Sequence, residues 1–324
     1  MCGLSGTLER NDCSLQDLKR RALQCWLAQP SNVVVRPAIA QGLRQEDWVV
    51  SSMVQEEGQR FEFGNNWHHF IQKNFGPERV RISKKHLLDF IERDDLKGLT
   101  FLDIGCGSGL HSVAALEAGA VSVRGFDYDA NSVDASRCVQ AQVGNPSNWT
   151  VEQGSVLDDR FVNSLGAYDL VYSWGVLHHT GDVWHAIRNA AACVRPGGMF
   201  YIALYSADAQ VNPPPEFWLD VKQKYVAAGW LKRRYMDLWY VWRFQMRHNP
   251  LRLPLFLWRM HEYKKNRGMN MFTDIRDWLG GWPMEFVYDK DAVSFCKDLG
   301  FSLQRMVTGE ANTEFLFIRS ASPK

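Results

Sequence analysis

Residues 99–129 read LTFLDIGCGSGLHSVAALEAGAVSVRGFDYD. The apolar run LTFLDI ends at a glycine-rich turn, and the segment after it has helical spacing of apolar residues up to Gly119. VSVRGFD is a second strand-like run. Strand, helix and strand in this order give parallel strands joined by a right-handed crossover. The stretch therefore predicts a Rossmann-like α/β sheet, with helices on both faces and a ligand-binding turn after its first strand.

The same alternation continues outward to residue 205. TVEQGSV, YDLVYSW and MFYIALY are strand-like, ANSVDASRCVQAQ and GDVWHAIRNAAACV are helical, and RPGG predicts a turn before the fifth strand. After residue 284 the rhythm resumes with a helix and then two strand-like runs, FSLQRMVTG and TEFLFIRS, which we expect to pair at the sheet edge. The predicted parts are an N-terminal helical extension (1–60), the first part of the core (61–205), an aromatic-rich insertion after the fifth strand that forms a substrate lid (206–284), and the end of the core (285–324).

Composition and charge exclude several classes of protein. The 324 residues carry 37 Lys and Arg against 36 Asp and Glu, so the whole molecule has no field that attracts nucleic acid. The seven cysteines form no CxxC pair and no zinc-like spacing, which favours a reducing cytosol and no metal. No signal peptide and no apolar run of about 18 residues is found. We expect a soluble, cytoplasmic protein, and the sequence does not predict its oligomeric state.

The turn LDIGCGSG carries the first functional signal. Glycines at 105, 107 and 109 let the backbone bend sharply and let a ligand approach without meeting a Cβ atom. The N-terminus of the next helix adds unpaired N–H groups. Dinucleotide-binding turns have the spacing GxGxxG, whereas this turn has GxGxG with Asp103 two residues before its first glycine. A carboxylate in that place suits a cationic ligand and repels a phosphate.

An acidic residue follows the second strand. Asp127 lies 18 residues beyond Gly109, close to the spacing at which a carboxylate accepts both hydroxyls of a ribose. Asp129 is the alternative if the strand ends two residues later. The structural alternative for Asp127 is a helix N-cap.

Five segments now support a family resemblance. LDIGCGSG, FDYD, QGSVLD, YDLVYSWGVLHHT and VRPGGMFYIALY, in this order, resemble class I S-adenosylmethionine (SAM)-dependent methyltransferases. The similarity is greatest to the UbiG/UbiE-like branch, which methylates small molecules and quinone precursors. It covers residues 99–205 and 285–324, and it implies SAM as the cofactor.

The resemblance also implies a cofactor site. Asp103 and the turn would hold the methionine part of SAM, and Asp127 would accept the ribose hydroxyls. Ser155 and Val156 would meet the adenine, although many relatives have an acid where Ser155 stands, so Asp158 or backbone contacts are alternatives. The full set of predicted cofactor-binding residues is Asp103, Gly105, Cys106, Gly107, Gly109, Asp127, Tyr128, Ser155, Val156 and Trp174.

The segment SWGVLHHT follows the fourth strand, at the sheet edge where α/β proteins bind ligands. His178 and His179 are the predicted catalytic residues, because histidine takes up a proton near neutral pH. As neighbours they point in different directions, and a structural hydrogen bond is the alternative for each. The segment lacks the [DN]PP[YF] motif of amino-methyltransferases that act on nucleic acids, which argues against a nucleobase amine as acceptor.

The insertion is basic and aromatic. Between Phe217 and Gly268, twelve Lys and Arg stand against three Asp and Glu, a balance of 12 − 3 = +9, with twelve aromatic residues among them. This pattern is compatible with a substrate lid, packing alone, a surface resting on an anionic membrane, or an RNA-binding face. Gly280 and Gly281 predict a hinge. The predicted substrate-binding residues are Trp67, Tyr263, Arg267, Trp278 and Trp282.

Together these features predict a SAM-dependent methyltransferase with a small-molecule acceptor. Transfer to oxygen, in a hydroxyl or a carboxylate, is favoured over nitrogen or sulfur. The alternatives are an RNA methyltransferase that uses the basic insertion, and an enzyme that methylates a lipid-linked acceptor through peripheral contact with a membrane. DNA is not an expected partner, and RNA is disfavoured.

Overall fold

The computed structural model describes residues 49–50, 75–267, 271–309 and 311–321, with side chains for 75–261, 271–272, 274–309 and 311–321. The predicted N-terminal extension lies outside the described residues except for 49–50. The predicted residue Trp67 also lies outside them.

A seven-stranded mixed sheet forms the centre of the fold, in the order β4-β3-β2-β5-β6-β9-β8. Strands β2 to β6 are parallel, and β9 runs antiparallel to both β6 and β8. A separate two-stranded pair joins β1 to β7. The strands are β1 Val49–Val50, β2 Thr100–Ile104, β3 Ser122–Asp127, β4 Trp149–Gln153, β5 Tyr168–Trp174, β6 Val194–Tyr205, β7 Phe286–Val287, β8 Phe301–Thr308 and β9 Asn312–Arg319.

Helices connect the parallel strands and cover the sheet. They are α1 Pro77–Ile91, α2 Leu110–Glu117, α3 Ala130–Gln142, α4 Asp159–Leu165, α5 Val183–Ala192, α6 Pro215–Val226, α7 Trp230–Tyr240, α8 Leu253–Arg267, α9 Met271–Gly280 and α10 Asp289–Asp298. Short 3₁₀ turns lie at Leu177–His179 and Pro250–Arg252, and a π-helical turn lies at Val241–Gln245.

Alternation along the strands divides the core into two layers. In β2, Phe101 packs on the face that α1, α2 and α3 cover, while Leu102 and Ile104 pack on the face that α4, α5 and α10 cover. Successive strand residues point to opposite faces, so a parallel strand buried on both sides is apolar throughout. This layered arrangement confirms the predicted Rossmann-like sheet with helices on both faces.

The predicted closing strands are also present. β8 and β9 form the expected antiparallel pair, and β9 joins the sheet beside β6. The RPGG segment, predicted as a turn before the fifth strand, instead lies inside β6. The pairing with β5 jumps there from Tyr168–Val194 to Leu170–Met199, so RPGG bulges out of the ladder while the strand continues.

Residues between β6 and β7 form helices α6 to α9 around an apolar cluster of their own, which includes Trp218, Tyr225 and Leu279. The buried carboxylate of Asp237 links three of the helices. It accepts hydrogen bonds from the Tyr225 hydroxyl (2.9 Å) and the Arg276 Nε (3.0 Å). The aromatic residues of the insertion are therefore partly core residues, which supports the packing interpretation for that subset.

Within the described ranges, no helix combines the length and the apolar character that a membrane span requires.

Helix α4, which the sequence analysis did not predict, begins at an aspartate cap. The Asp158 carboxylate accepts the backbone N–H groups of Arg160 (2.9 Å) and Phe161 (3.2 Å). An aspartate at this position satisfies donors that the first helical turn leaves unpaired. Asp158 is thus engaged within its own helix, which argues against the alternative that it binds the adenine.

Replacement of Asp158 tests this assignment. We expect Asp158→Ala to lower the free energy of unfolding by about 0.5–2 kcal/mol, the usual cost of a lost N-cap, and to leave the SAM dissociation constant unchanged. Urea unfolding and calorimetry measure the two quantities. Asp134→Ala, which removes an exposed carboxylate paired with Arg137, is the control and should change stability by less than about 0.5 kcal/mol. A large loss of SAM affinity in Asp158→Ala would contradict the assignment.

Candidate cofactor and acceptor site

The turn between β2 and α2 requires its glycines for two reasons. Gly105, Gly107 and Gly109 have φ angles of 71°, 53° and 75°, a region that residues with a side chain rarely adopt. In addition, a Cβ atom on Gly105 would overlap the Val176 side chain. A Cβ on Gly109 would lie 2.9 Å from the Ser136 Oγ and 3.0 Å from the Trp149 ring. The turn therefore packs closely against its neighbours.

Asp127 is the last residue of β3, and its carboxylate is aimed at the turn. It accepts the backbone N–H of Gly107 (2.9 Å) and that of Asp129 (3.0 Å). Asp129 instead caps α3 by accepting the N–H of Asn131 (2.9 Å). The structure thus favours Asp127 over Asp129 as the ribose-binding acid, and the N-cap alternative belongs to Asp129.

Asp103 lies beneath the turn rather than on its rim. Only 2 % of the residue is exposed, and its carboxylate accepts a hydrogen bond from the Ser112 hydroxyl of α2 (2.6 Å). Burial, opposed by the Ser112 hydrogen bond and reinforced by the nearby Asp127 charge, raises the pKa of Asp103 to about 7. This burial does not fit the expectation that Asp103 contacts the methionine part of SAM directly. An effect of its charge on a ligand stays a prediction.

The electrostatics of the turn fit a cation. The negative charges of Asp103 and Asp127 repel one another. A positive ligand would relieve this repulsion, whereas a diphosphate would increase it. The N-cap of α2 is Gly109, which makes no side-chain cap, so the first turn of the helix faces the ligand side with its backbone N–H groups. A sulfonium and an ammonium together with polar ribose groups suit these residues.

The remaining predicted cofactor residues differ in position. Tyr128 is exposed beside Asp127. The Cys106 thiol is buried, 3.4 Å from the Ser136 hydroxyl, so only its backbone borders the turn. Val156 is buried in the core layer of α4 and α5, which corrects the expectation that it covers an adenine face.

Two further predicted residues lie at strand ends. Ser155 accepts the N–H of Leu157 (3.2 Å) in the turn before α4. Trp174 ends β5 with 41 % of the residue exposed. Both roles in cofactor binding stay predictions.

After β5, the segment of residues 175–180 (GVLHHT) leaves the sheet as a 3₁₀ turn, which we call the histidine loop. His178 is completely buried, and its Nδ1 accepts the backbone N–H of Tyr205 (3.2 Å). Burial lowers the pKa of His178 well below its usual value, so the ring is neutral and carries its proton on Nε2. His178 therefore lacks a basic nitrogen, which corrects the prediction that it acts as a base.

His179 has the opposite tautomer. Its Nδ1 lies 2.8 Å from the carbonyl oxygen of Pro283, which can only accept, so Nδ1 carries the proton. Nε2 is then the nitrogen with a lone pair. The ring is partly exposed, and its catalytic role stays a prediction.

The histidine loop also fastens the insertion to the sheet. The backbone N–H of Glu285 donates to the carbonyl of His178 (2.8 Å), next to the contact between His179 and Pro283. On its other side, Val176 of the same loop occupies the space that a side chain at Gly105 would need. The loop thus lies between the cofactor turn and the end of the insertion.

The predicted acceptor-binding residues are only partly testable by position. Trp278, in α9, lies beside Tyr205 and Trp218, and Trp282 is buried just after α9. Tyr263 and Arg267 belong to α8, but their side chains are outside the described set, as is Trp67. Gly280 is the last residue of α9, and the hinge stays a prediction.

The sequence analysis missed several residues that the fold brings to this edge. Val176 and Ser112 are identified only by their contacts with Gly105 and Asp103. Lys222 of α6 carried a weak signal, since it lies on one helix face with Trp218 and Tyr225, at positions i−4 and i+3. A lysine among aromatic residues at that spacing indicates a buried charge.

Comparison with known proteins places the chain in a family. A family model described as "Methyltransferase domain" matches residues 67–263, which is more than half of the chain. The chain belongs to this family. The prediction of a class I SAM-dependent methyltransferase domain is thereby confirmed, and S-adenosylmethionine is the cofactor of this methyltransferase.

Curated relatives are similar over about half of the methyltransferase. The chain is 29 % identical over 169 residues to a ubiquinone biosynthesis O-methyltransferase of Methylobacterium sp. (strain 4-46), covering 51 % of this chain and 63 % of the relative. It is 30 % identical over 165 residues to the protein of the same name from Paramagnetospirillum magneticum, covering 49 % and 61 %. The matches thus span less than two thirds of the length of these relatives.

Solved structures include more distant neighbours. An O-methyltransferase family protein from Burkholderia thailandensis aligns at 16 % identity with a TM-score of 0.49, covering 81 % of this chain and 59 % of that protein. Magnesium protoporphyrin IX methyltransferase from Synechocystis PCC 6803, with bound S-adenosylhomocysteine, aligns at 17 % identity with a TM-score of 0.45, covering 79 % and 94 %. The strand order described above, rather than these alignments, establishes the fold.

A metal centre has no candidate ligand set in the described ranges. No group of three or more His, Cys, Asp or Glu side chains there could hold a metal ion.

Asp127 is the residue through which the cofactor site is best tested. We expect Asp127→Ala to weaken SAM binding by about 10- to 150-fold without unfolding the protein, because a hydrogen bond to a charged group contributes about 1.5–3 kcal/mol. Calorimetry measures the affinity, and thermal unfolding measures the fold. The matched control is Asp129→Ala, which loses the α3 cap and about 1 kcal/mol of stability but keeps SAM affinity. Equal affinities for wild type and Asp127→Ala would refute the ribose assignment.

Proposed function

We propose that this methyltransferase transfers the methyl group of SAM to an oxygen atom of a small-molecule acceptor. The observation that carries the proposal is the position of His179. Its loop packs against Gly105 through Val176, and its Nδ1–H is fixed on Pro283, so a basic Nε2 belongs to the segment that adjoins the cofactor turn. The names of the curated relatives, both O-methyltransferases, support oxygen as the methylated atom.

The residues at the turn divide the work of binding SAM. The glycine turn and the N-terminus of α2 would hold its methionine part, the Asp127 carboxylate would accept the ribose hydroxyls, and Tyr128 would border the adenosine. Bound there, SAM supplies a methyl group that its sulfonium already activates for displacement. The buried Asp103 charge favours a cationic ligand over a neutral or anionic one.

His179 would serve the acceptor. An acceptor hydroxyl loses a proton as its oxygen gains a bond to carbon, and a neutral imidazole with a fixed Nδ1–H is suited to receive that proton at Nε2. The contact with Pro283 sets both the tautomer and the ring orientation, as a carboxylate or carbonyl does for many catalytic histidines. The histidine loop would thereby carry a general base.

Alignment of the two reactants would contribute more than the base. Holding them in line and excluding water lowers the barrier by roughly 7–11 kcal/mol, whereas a general base typically contributes 10²–10⁴-fold, or about 3–5 kcal/mol. The insertion, joined to the histidine loop by the bond between Glu285 and His178, would close over the acceptor and exclude water. Under this proposal, alignment by the insertion therefore lowers the barrier more than the general base does.

A specific observation also favours a second candidate, the methylation of a lipid-linked acceptor. Helix α7 and the turn after it present an apolar stripe to solvent at helical spacing, which consists of Leu231, Tyr235, Leu238 and Trp242 and is 74 % exposed at Leu231 and 68 % at Tyr235. Basic residues such as Lys232 and Arg243 are interleaved with it. An exposed apolar stripe with flanking cations suits an anionic membrane surface. Tyr235 and Trp242 could also stack on bases, whereas Leu231 and Leu238 could not, so the two leucines are the part of the stripe that favours lipid over RNA.

A methyl-transfer screen tests the proposed activity. Protein and SAM with a radioactive methyl group are incubated with panels of phenols, quinols, carboxylates and amines, and labelled products are identified by mass. We expect transfer to at least one oxygen acceptor. Turnover confined to amines, or to RNA, would contradict the proposal.

Sedimentation with anionic and with neutral vesicles tests the second candidate. The lipid-linked function requires that the protein binds the anionic vesicles and that the double variant Leu231→Ser/Leu238→Ser loses this binding.

The histidines differ in their expected effect on turnover. At saturating SAM, we expect His179→Ala to lower kcat by about 10²–10⁴-fold, the usual contribution of a general base. His178→Ala should lower stability, because it leaves the Tyr205 N–H without an acceptor. His185→Ala, on the outer side of α5, is the control for loss of a partly exposed histidine. Unchanged kcat in His179→Ala would leave alignment as the whole mechanism.

A further inference from the structure

Lys222 is a buried cation that the activity described so far does not use. It lies in α6 with 1 % of the residue exposed, among the aromatic residues of the insertion. Its ammonium donates to the backbone carbonyl of Trp278 and lies 4.3 Å from the centroid of the Trp278 ring. A lysine in this environment requires a specific explanation, because lysine is almost never fully buried unless it is paired.

The protein itself compensates this charge only in part. Lys222 forms no ion pair with any carboxylate of the described residues, and Asp277 acts on it only through its more distant charge. The surroundings make the charged form costly, and burial lowers the pKa of Lys222 to about 7. One carbonyl and one ring face leave ammonium protons without an acceptor, and an uncompensated buried charge is costly to the fold.

Three further donors near Lys222 also lack acceptors. The indole Nε1 atoms of Trp218 and Trp278 and the Nε2 of His178 are buried, and none has a hydrogen-bond partner among the described residues. Each of these nitrogens carries a hydrogen, since indole is only a donor and the Nδ1 of His178 is occupied as an acceptor. Buried polar groups are normally satisfied, so several unsatisfied donors in one region indicate a missing acceptor.

Ring contacts join these donors into one cluster. The Trp218 and Trp278 centroids are 5.1 Å apart, Trp278 is 5.5 Å from Tyr205, and Tyr205 is 4.1 Å from His178. The Lys222 charge lowers the His178 pKa, so the two groups are within electrostatic reach. The cluster thus extends from the insertion to His178 of the histidine loop. The residue after His178 is His179, the proposed base.

We propose that Lys222, with the N–H groups of Trp218, Trp278 and His178, binds a carboxylate group of the methyl acceptor. This inference rests on the proposed function and specifies its substrate class, an oxygen acceptor that is also an acid. The carboxylate would offer acceptor oxygens to these donors and would give Lys222 a counter-charge that it lacks among the described residues.

The charges around the cluster favour a monoanion. Asp277 and Asp274 act on the neighbouring Tyr205 and, by their negative charge, help burial to raise its pKa to about 12. A dianion such as phosphate would meet this negative field with only one lysine to oppose it. A carboxylate matches the single positive charge of Lys222.

Direct binding of benzoate tests the proposal without turnover. Protein with ¹⁵N-labelled tryptophan is titrated with benzoate, and the indole N–H signals are assigned with Trp218→Phe and Trp278→Phe. We expect both indole signals to shift downfield with benzoate and neither to shift with the neutral analogue benzamide. In Lys222→Met, the affinity for benzoate should be about ten- to hundredfold lower, as for loss of a hydrogen bond to a charged group. Lys222→Arg, which keeps the charge, should retain most of the affinity.

Stability separates this role from a structural one. Lys222→Met removes a buried charge while keeping the length of the side chain, so the melting temperature of this variant should equal or exceed that of wild type. Added benzoate should raise the melting temperature of the wild type but not that of the variant. Benzoate binding that is equal in Lys222→Met, or indole signals that do not move, would overturn the proposal. If Lys222→Met fails to fold, Trp218→Phe must still weaken benzoate binding for the proposal to hold. SAM titration of the same samples separates the carboxylate site from the proposed function. If the wild-type protein does not bind SAM, the proposed function is contradicted, whatever the result with benzoate.

Discussion

The packing of the histidine loop against the glycine turn is the constraint on which the rest of the site depends. Because Gly105 has no side chain, the Val176 side chain can pack against the turn. On the other side of the loop, the Glu285 N–H binds the His178 carbonyl, and the Pro283 carbonyl binds the His179 ring. One backbone segment thereby couples the cofactor turn to the insertion. A side chain at position 105 would separate the two halves of the proposed reaction.

Charge is distributed unequally across that loop. On the turn side lie Asp103 and Asp127, whose negative charges repel one another. On the insertion side lies Lys222, a buried cation that forms no ion pair with a carboxylate of the described residues. Under the two proposals, a cationic ligand at the turn and an anionic group at Lys222 would each lower an electrostatic cost.

Sequence patterns predict the sheet well because its determinants are local. Apolar runs set the strands, glycines set the turn, and the position of Asp127 follows from the end of β3. The roles of individual side chains depend on tertiary contacts and were not predictable. Whether His178 or His179 is basic is decided by the Tyr205 N–H and the Pro283 carbonyl, and both lie far away in sequence. The burial of Asp103 depends on Ser112, and that of Lys222 depends on how α6 packs on α9.

A crystal structure of the protein with S-adenosylhomocysteine tests the central claim most directly, namely that the turn after β2 holds the adenosyl cofactor. The account predicts the ligand in that turn, with both ribose hydroxyls within hydrogen-bond distance of the Asp127 carboxylate and the homocysteine sulfur on the side of the histidine loop. A ligand bound elsewhere, with the turn empty and Asp127 making no contact to ribose, would contradict it.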